Sequence, residues 1–293
     1  MKIPTFLKWL GGKRKLLSQI DHFLPSKINR YFEPFLGGGS MFFYIKQKYN
    51  PRHCVISDIN EDLIESYKAV RDSPKDLIKN IKYFERRNSK TFFYEVREKF
   101  NGKKYCGIKR SAAFIYLNKT CFNGVYRVNR KNEFNVPYGN YENREIFNVE
   151  TIFLASKLLQ NVTIKKQDYQ DILPKLKRGD FVYLDPCYDP LKRTSFVQYT
   201  PDKFSLEDRK KLFEFMVKAR MKGAVLRLSN NNLDEVWKLY EAAGFGVYTV
   251  ITCRTVNSNI KDRGEISELI ISDRRLNLPL QEIPIYSRGS KYL

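Results

Sequence analysis

The sequence has few of the residues that build metal centres and disulfide frameworks. Its 293 residues include two histidines and five cysteines, and no two cysteines form a CxxC pair. Scattered cysteines of this kind argue against both a disulfide framework and a zinc site. We therefore expect no metal, and we expect a chemistry that does not use histidine as acid or base.

Long apolar runs are also missing. No run approaches the roughly 20 residues of a membrane-spanning helix, and residues 1–9 lack the apolar stretch of a signal peptide. The hydrophobic content of 42% and aromatic content of 14% are nevertheless those of a folding chain. We therefore expect a folded protein that is intracellular.

Positive charge is abundant. The chain has 53 Lys and Arg against 32 Asp and Glu, a formal net charge of +21. Such a surplus indicates a polyanionic partner, nucleic acid before an acidic membrane surface, unless it serves only solubility. Residues 71–147 alone hold 18 Lys and Arg against 8 Asp and Glu, interleaved with aromatic residues. This mixture suits phosphate contact and base stacking, so we expect nucleic acid.

The first 70 residues are typical of a doubly wound α/β domain. A short strand at 31–35 leads into Gly37-Gly38-Gly39, and a helix is predicted from Ser40. A second strand, 54–57, ends at Asp58, and Asn60 is predicted to cap the helix that follows. The order strand, glycine loop, helix, strand and acidic residue is that of a nucleotide-binding sheet.

The α/β pattern is then interrupted by a basic insertion. Residues 74–117 have helical apolar spacing, and the runs 125–128 and 134–136 predict a β-hairpin. Further strands are predicted from 162 onwards, including the apolar strand 181–184. We therefore expect a discontinuous α/β domain, 1–70 and 150–293, that carries the catalytic site, around an inserted basic domain, 71–149, that binds nucleic acid.

Three motifs follow predicted strands, where ligands of open α/β sheets bind. The triple glycine at 37–39 allows close backbone approach by a cofactor, although a plain turn would look similar. Asp58 is placed to accept hydrogen bonds from two ribose hydroxyls, or else caps the next helix. Asp185-Pro186-Cys187-Tyr188 joins a carboxylate, a carbonyl and an aromatic ring after a buried strand.

This last motif resembles the Asp-Pro-Pro-Tyr signature of amino-methylating DNA methyltransferases. Four further segments are similar, in order, to the DNA adenine methylase (Dam, D12 class, alpha-group) family: 6–13, 33–40, 58–60 and 123–137. The resemblance implies a Rossmann-like S-adenosylmethionine-dependent methyltransferase core with a mixed sheet and an inserted helical and hairpin target-recognition domain. It also implies an adenine-specific DNA methyltransferase (EC 2.1.1.72) that modifies adenine N6 in duplex DNA, usually within GATC, with S-adenosylmethionine as methyl donor.

The resemblance assigns a set of residues to the cofactor. They are Trp9, Lys13, Phe35, Gly37, Gly39, Asp58, Asp168, Tyr169 and Asp185. For three of them an alternative to cofactor contact remains open: a core anchor for Trp9, a solvated lysine for Lys13 and a position outside the site for Asp168.

For catalysis, the resemblance implies that Asp185 and the Pro186 carbonyl accept the two hydrogen bonds of the adenine amino group. Tyr188 would stack on the base, which must leave the duplex to reach the pocket. Positioning and electrostatics would supply most of the rate enhancement, because a sulfonium already activates the methyl group.

DNA recognition is expected from the hairpin and the N-terminal motif. By the resemblance, Arg127 reads a guanine, Lys8 reads the outer guanine and Phe122 inserts into the duplex. Phosphate contact is the alternative for Arg127. The other residues expected at DNA are Lys119, Asn123, Asn129, Arg130, Pro137 and Tyr141.

Cys187 stands where the family has proline. Losing the restraint that a second proline places on Pro186 costs about 0.4–1 kcal/mol, or less than about tenfold in rate. We therefore expect an active, if slower, enzyme. A catalytically weakened DNA-binding homologue is the alternative, and the hairpin disfavours a methyltransferase of RNA or protein amides.

Overall fold

A computed structural model describes residues 1–140, 146–186, 205–253 and 265–278. Its seven strands in these ranges form one sheet of order β3-β2-β1-β4-β5-β7-β6. The strands are β1 (Arg30–Glu33), β2 (His53–Asp58), β3 (Val162–Lys166), β4 (Phe181–Leu184), β5 (Val225–Asn231), β6 (Gly246–Cys253) and β7 (Glu265–Ser272). Strands β1 to β5 pair in parallel, whereas β7 is antiparallel to both β5 and β6. The predicted α/β fold with a mixed sheet is confirmed.

The sheet is buried on both faces, as a parallel sheet covered by helices requires. Side chains alternate along each strand, so Tyr31 and Tyr183 join one core while Phe32 and Val182 join the other. The register brings Phe32 opposite Val55 on β2 and Val182 on β4. The carboxyl ends of β1, β2 and β4 therefore lie along the same edge.

Nine α-helices surround the sheet in the ranges described. They are α1 (Leu17–Asp21), α2 (Ser40–Tyr49), α3 (Glu61–Asp72), α4 (Pro74–Glu85), α5 (Lys90–Asn101), α6 (Gly107–Thr120), α7 (Val149–Leu159), α8 (Leu206–Met221) and α9 (Asp234–Ala242). The Asn60 side chain caps α3 by accepting the Leu63 N–H at 3.0 Å, as the sequence predicts. None of these helices is both long and apolar enough to cross a membrane.

The inserted helices share the larger of the two cores. Helix α6 is buried along most of its length and packs on α3 and α4. Phe84, Phe93 and Tyr116 lie in the same hydrophobic cluster as Tyr31 and Ile56 of the sheet. The insertion is thus anchored to the α/β core by continuous apolar packing.

The predicted hairpin forms, but fewer of its residues are paired than the sequence suggests. Val128 and Phe134 form an isolated antiparallel bridge, and the Asn135 N–H donates to the Arg127 carbonyl at 3.1 Å. On the outer side of the hairpin, the Phe134 N–H donates to the Asn101 side chain of α5 at 2.9 Å, and that amide donates back to the Phe134 carbonyl at 3.0 Å. Because Val128 and Phe134 are a non-hydrogen-bonded pair, these Phe134 groups face away from the opposite strand, and α5 anchors the hairpin's outer edge.

Candidate functional site

Three acidic residues end neighbouring strands at one edge of the sheet: Glu33 on β1, Asp58 on β2 and Asp185 after β4. Glu33 is buried, and the Tyr31 hydroxyl donates to its Oε2 at 2.6 Å. Burial raises the pKa of Glu33 well above its usual range, and the charges of Asp185 and Asp58 add to the shift. Glu33 was not among the predicted site residues, although an acid ending a buried strand is a visible signal.

The glycine loop is fastened to Asp58. One carboxylate oxygen, Oδ2, accepts the Gly37 N–H at 3.1 Å, and the other, Oδ1, accepts the Asn60 N–H at 3.0 Å. Burial raises the pKa of Asp58, while these N–H donors lower it in part. Asp58 thus fixes the loop, while its contact with a ribose stays a prediction.

Aromatic side chains line the glycine loop so closely that only glycine fits. A Cβ at Gly37 would lie 2.7 Å from Trp9 Cδ1, and one at Gly39 would lie 2.5 Å from the Tyr67 hydroxyl oxygen. That hydroxyl donates to the Gly37 carbonyl at 3.1 Å. The loop is therefore a preformed backbone cradle beside buried Glu33 and half-buried Asp58, which fits a cofactor that combines a ribose with a cationic chain.

Gly39→Ala is expected to lower the affinity for S-adenosylmethionine by at least tenfold. Gly39 has φ +68°, so alanine there carries about 1–2 kcal/mol of left-handed strain and also displaces Tyr67. Gly244→Ala is the matched control, because Gly244 has φ +77° with nothing within 4 Å. Scanning calorimetry should show that both variants are destabilised by the left-handed strain. Titration calorimetry should show weaker cofactor binding only in Gly39→Ala. Equal affinities would contradict a cradle at Gly39.

Lys13 joins the strand edge from the N-terminal segment. Its ammonium is buried and lies 2.8 Å from Asp185 Oδ1, 2.9 Å from the Gly11 carbonyl and 3.4 Å from Glu268 Oε2. Burial lowers the pKa of Lys13, but the charges of Asp185 and Glu268 outweigh it and raise the pKa overall. The solvated-lysine alternative is therefore wrong. Sequence reasoning missed Glu268, because its partner Lys13 lies at the other end of the chain.

Phe35 and Tyr169 lie together, with ring centroids 5.2 Å apart and planes 28° from parallel. Asp168 accepts the Gln170 N–H at 2.9 Å and caps the 3₁₀ segment Tyr169–Lys175. The structure thus gives Asp168 a capping function, while its cofactor contact stays a prediction. Of the predicted catalytic set, Tyr188 lies outside the described residues, as does Cys187.

The N-terminal motif is joined to the recognition segment through the buried amide of Asn118. Its Oδ1 accepts the Lys8 N–H and its Nδ2 donates to the Lys8 carbonyl, both at 2.8 Å. The Lys8 stem lies against Gly124, where a Cβ would be 2.2 Å from Lys8 Cδ. Lys8 and the turn before Arg127 are therefore neighbours, as joint base reading would require.

Arg127 is oriented by Asn135 across the hairpin. Its Nε donates to Asn135 Oδ1 at 2.7 Å, and its guanidinium also approaches the Asn135 carbonyl at 3.5 Å. Phe122 projects with 51% of its surface exposed, and its N–H donates to the Pro137 carbonyl at 2.8 Å. Asn135 was not predicted as a site residue, because its apolar neighbours Phe134 and Val136 indicate only a strand.

The other predicted DNA residues are placed as follows. Asn129 holds the turn, because its Oδ1 accepts the N–H groups of Lys131 and Glu133 at 2.9 and 3.0 Å. Asn123 has a left-handed backbone, φ +56°, in the exposed turn with Phe122. Arg130 and Pro137 are exposed, Lys119 is half-buried near the end of α6, and Tyr141 lies outside the described residues.

One stacked pair connects the two groups of residues. Tyr126, next to Arg127, stacks on Trp9 with centroids 5.5 Å apart and planes 15° from parallel. Trp9 in turn packs on Gly37 and Gly38. The hairpin and the glycine cradle are thus joined by direct packing through Trp9 and Tyr126.

Comparisons with known proteins bear on this arrangement. Residues 9–256 match the family described as D12 class N6 adenine-specific DNA methyltransferase. The chain is 43% identical over 288 residues to the Type II methyltransferase M.MjaIII of Methanocaldococcus jannaschii, covering 92% of this chain and 99% of that protein. It is 38% identical to the Type II methyltransferase M1.LlaDCHI of Lactococcus lactis subsp. cremoris (93% and 96% covered). It is 32% identical to the DNA adenine methylase of Escherichia coli (92% and 95% covered).

Proposed function

This chain belongs to the D12 class of N6 adenine-specific DNA methyltransferases, and from that premise we propose that it methylates adenine within GATC after flipping the base from the duplex. S-adenosylmethionine is the methyl donor of the family. The observation that carries the proposal is the Asp185 carboxylate, held by buried Lys13 at the sheet edge that also carries the glycine cradle.

The cofactor supplies a methyl group on a sulfonium, already activated for transfer. The chain's own residues then have to bind the cofactor, orient the target adenine and exclude water. Asp58, Gly37 and Gly39 would hold the ribose and the chain next to it, with Trp9, Phe35 and Tyr169 as apolar walls. Lys13 would lie at the cofactor from beside Asp185, with its own charge balanced by Asp185 and Glu268.

Asp185 and the Pro186 carbonyl would act on the target. An adenine amino group is a poor nucleophile, because its lone pair is delocalised into the ring. Two acceptors that bind its N–H groups direct the lone pair towards the methyl group and stabilise the positive charge that develops. The ion pair of Asp185 with Lys13 supports this by fixing the carboxylate before the substrate arrives.

Recognition would be divided between base and backbone contacts. Arg127 would read a guanine bidentately. Asn135 supports this, because its Oδ1 accepts the Arg127 Nε–H at 2.7 Å and so restrains the guanidinium. Lys8 would reach the outer guanine from the neighbouring segment, with Asn123, Pro137 and Tyr141 at other bases. Lys119 and Arg130 would neutralise phosphates, and Asn129 would act by holding the turn. In this scheme residues 71–149 recognise DNA, and 1–70 with 150–293 transfer the methyl group.

Phe122→Ala is expected to weaken base flipping with little effect on stability. The ring is 51% exposed, so its removal creates no cavity, but nothing then fills the space that the flipped base leaves. We expect the fluorescence rise of 2-aminopurine at the target position to fall at least fivefold. Phe153→Ala, at a ring 43% exposed on α7, is the control. An unchanged rise in Phe122→Ala would exclude Phe122 as the inserted residue.

The substrate class is tested by transfer of tritiated methyl groups to unmethylated duplex DNA, RNA and protein in one competition. Incorporation into duplex DNA alone supports the proposal. A weakened DNA-binding homologue would bind GATC duplexes specifically but incorporate no label. The family's second proline is cysteine here, whereas Asp185 and Pro186 are both present, so we expect transfer.

A further inference from the structure

The acid in the middle of β7 belongs to the transfer site. Glu268 lies on the antiparallel strand that separates β5 from β6, opposite Asn231 and Val250. Its Oε2 is buried, has no hydrogen-bond partner among the described residues and lies 3.4 Å from the Lys13 ammonium. Among the described residues, Lys13 is the cation that pairs with this carboxylate.

We propose that Glu268 is a positioning residue for methyl transfer: it holds the Lys13 ammonium between two carboxylates and so fixes the direction of Asp185. This inference rests on the proposed function of Asp185. Glu268 would touch neither cofactor nor base, and it would act through Lys13.

The charge balance of the cluster explains why a second acid is useful. Only 2% of the Lys13 side chain is exposed, and an ammonium so buried needs compensating anions to stay charged. Asp185 alone would supply one. Glu268, at 3.4 Å, supplies the second, which keeps Lys13 protonated and holds the ammonium at a position that does not depend on Asp185 alone.

The geometry also links distant parts of the chain. Lys13 comes from the N-terminal 3₁₀ segment Lys13–Lys15, Asp185 follows β4, and Glu268 comes from β7. Three elements that are far apart in sequence therefore meet at one cation. A positioning residue on a strand that is paired on both sides, as β7 is, is held more rigidly than one on a loop, which suits an acid that has to orient others.

A double-mutant cycle tests the proposal. The four proteins are the wild type, Glu268→Gln, Lys13→Met and the double variant; glutamine keeps the shape of Glu268 and removes its charge. Glu268→Gln should slow single-turnover methyl transfer about tenfold in the wild type. With Lys13→Met the same change should cost less than twofold, because the group through which Glu268 acts is gone. An equal loss in both backgrounds would overturn the proposal.

Thermal unfolding of the cofactor-free proteins gives a second readout that does not need activity. Lys13→Met leaves two carboxylates facing each other without a cation, so adding Glu268→Gln should raise the melting temperature of that variant. In the wild type Glu268→Gln should lower it. The same shift in both backgrounds would contradict the coupling. Glu207→Gln, which removes an exposed carboxylate 2.9 Å from Lys211, should change neither readout.

The two hypotheses fail in different ways. If the wild type methylates no DNA, the proposed function fails, whereas the thermal cycle still reports whether Glu268 acts through Lys13. If transfer is normal and the cycle is additive, only the role of Glu268 is lost.

Discussion

Asp185→Asn is expected to slow methyl transfer by about 10²- to 10³-fold, the usual cost of removing one preorganised polar group from a transition state. The amide keeps the size of the carboxylate but offers one acceptor oxygen instead of two. If that oxygen stays on Lys13, at the 2.8 Å position of Oδ1, an NH₂ group faces the adenine amino group. Donor then meets donor, and the nitrogen is no longer directed towards the methyl group.

The measurement is the single-turnover rate at saturating cofactor and DNA, with cofactor affinity determined by calorimetry. Asp76→Asn, an exposed acid in the first turn of α4, is the matched control. Because the strand and the glycine loop stay intact, DNA binding should persist. A rate within tenfold of the wild type would show that Asp185 does not orient the target amino group.

Arg127→Ala is expected to reduce discrimination for its guanine by about 10- to 100-fold, since a bidentate contact contributes about 1–3 kcal/mol. Arg127→Lys should restore little of it, because an ammonium lacks the planar pair of donors. Asn135→Ala should act in the same direction but less strongly, since Asn135 only restrains the guanidinium.

Arg130→Ala separates base reading from phosphate binding. Arg130 is exposed at the turn, so its loss should weaken binding to all sequences alike and reduce the salt dependence. For all four variants, methylation rates are measured on GATC and on duplexes with one changed base pair. For Arg130→Ala, binding to the same duplexes is also measured at several salt concentrations. If Arg127→Ala weakened all duplexes equally, Arg127 would be a phosphate contact, the alternative that the sequence leaves open.

Much of this site could be predicted from sequence because its key residues end parallel strands. Glycines 37–39, Asp58 and Asp185 each follow an apolar run, and parallel strands bring such ends to one edge. The cap at Asn60 and the strand Phe181–Leu184 were predicted for the same reason, since their signals are local.

Glu268 and the hairpin were harder because their determinants are not local. Glu268 reaches Lys13 only because β7 inserts antiparallel between β5 and β6, and no pattern within residues 265–272 specifies that position. The hairpin's attachment to α5 was not predicted, because Asn101, whose amide binds the outward-facing backbone groups of Phe134, is 33 residues away in the chain. Asn118 and Asn135 were missed likewise, because a single amide in a helix or strand reveals its partners only after folding.

The central claim, site-specific methylation of adenine N6, is tested most directly by sequencing-based mapping of N6-methyladenine. Unmethylated plasmid DNA would be incubated with the purified protein and S-adenosylmethionine, and every marked position read. We predict marks confined to the adenine of GATC. Marks at another sequence would contradict the base-reading assignments of Lys8 and Arg127. Absence of N6-methyladenine despite specific DNA binding would contradict the proposed activity itself.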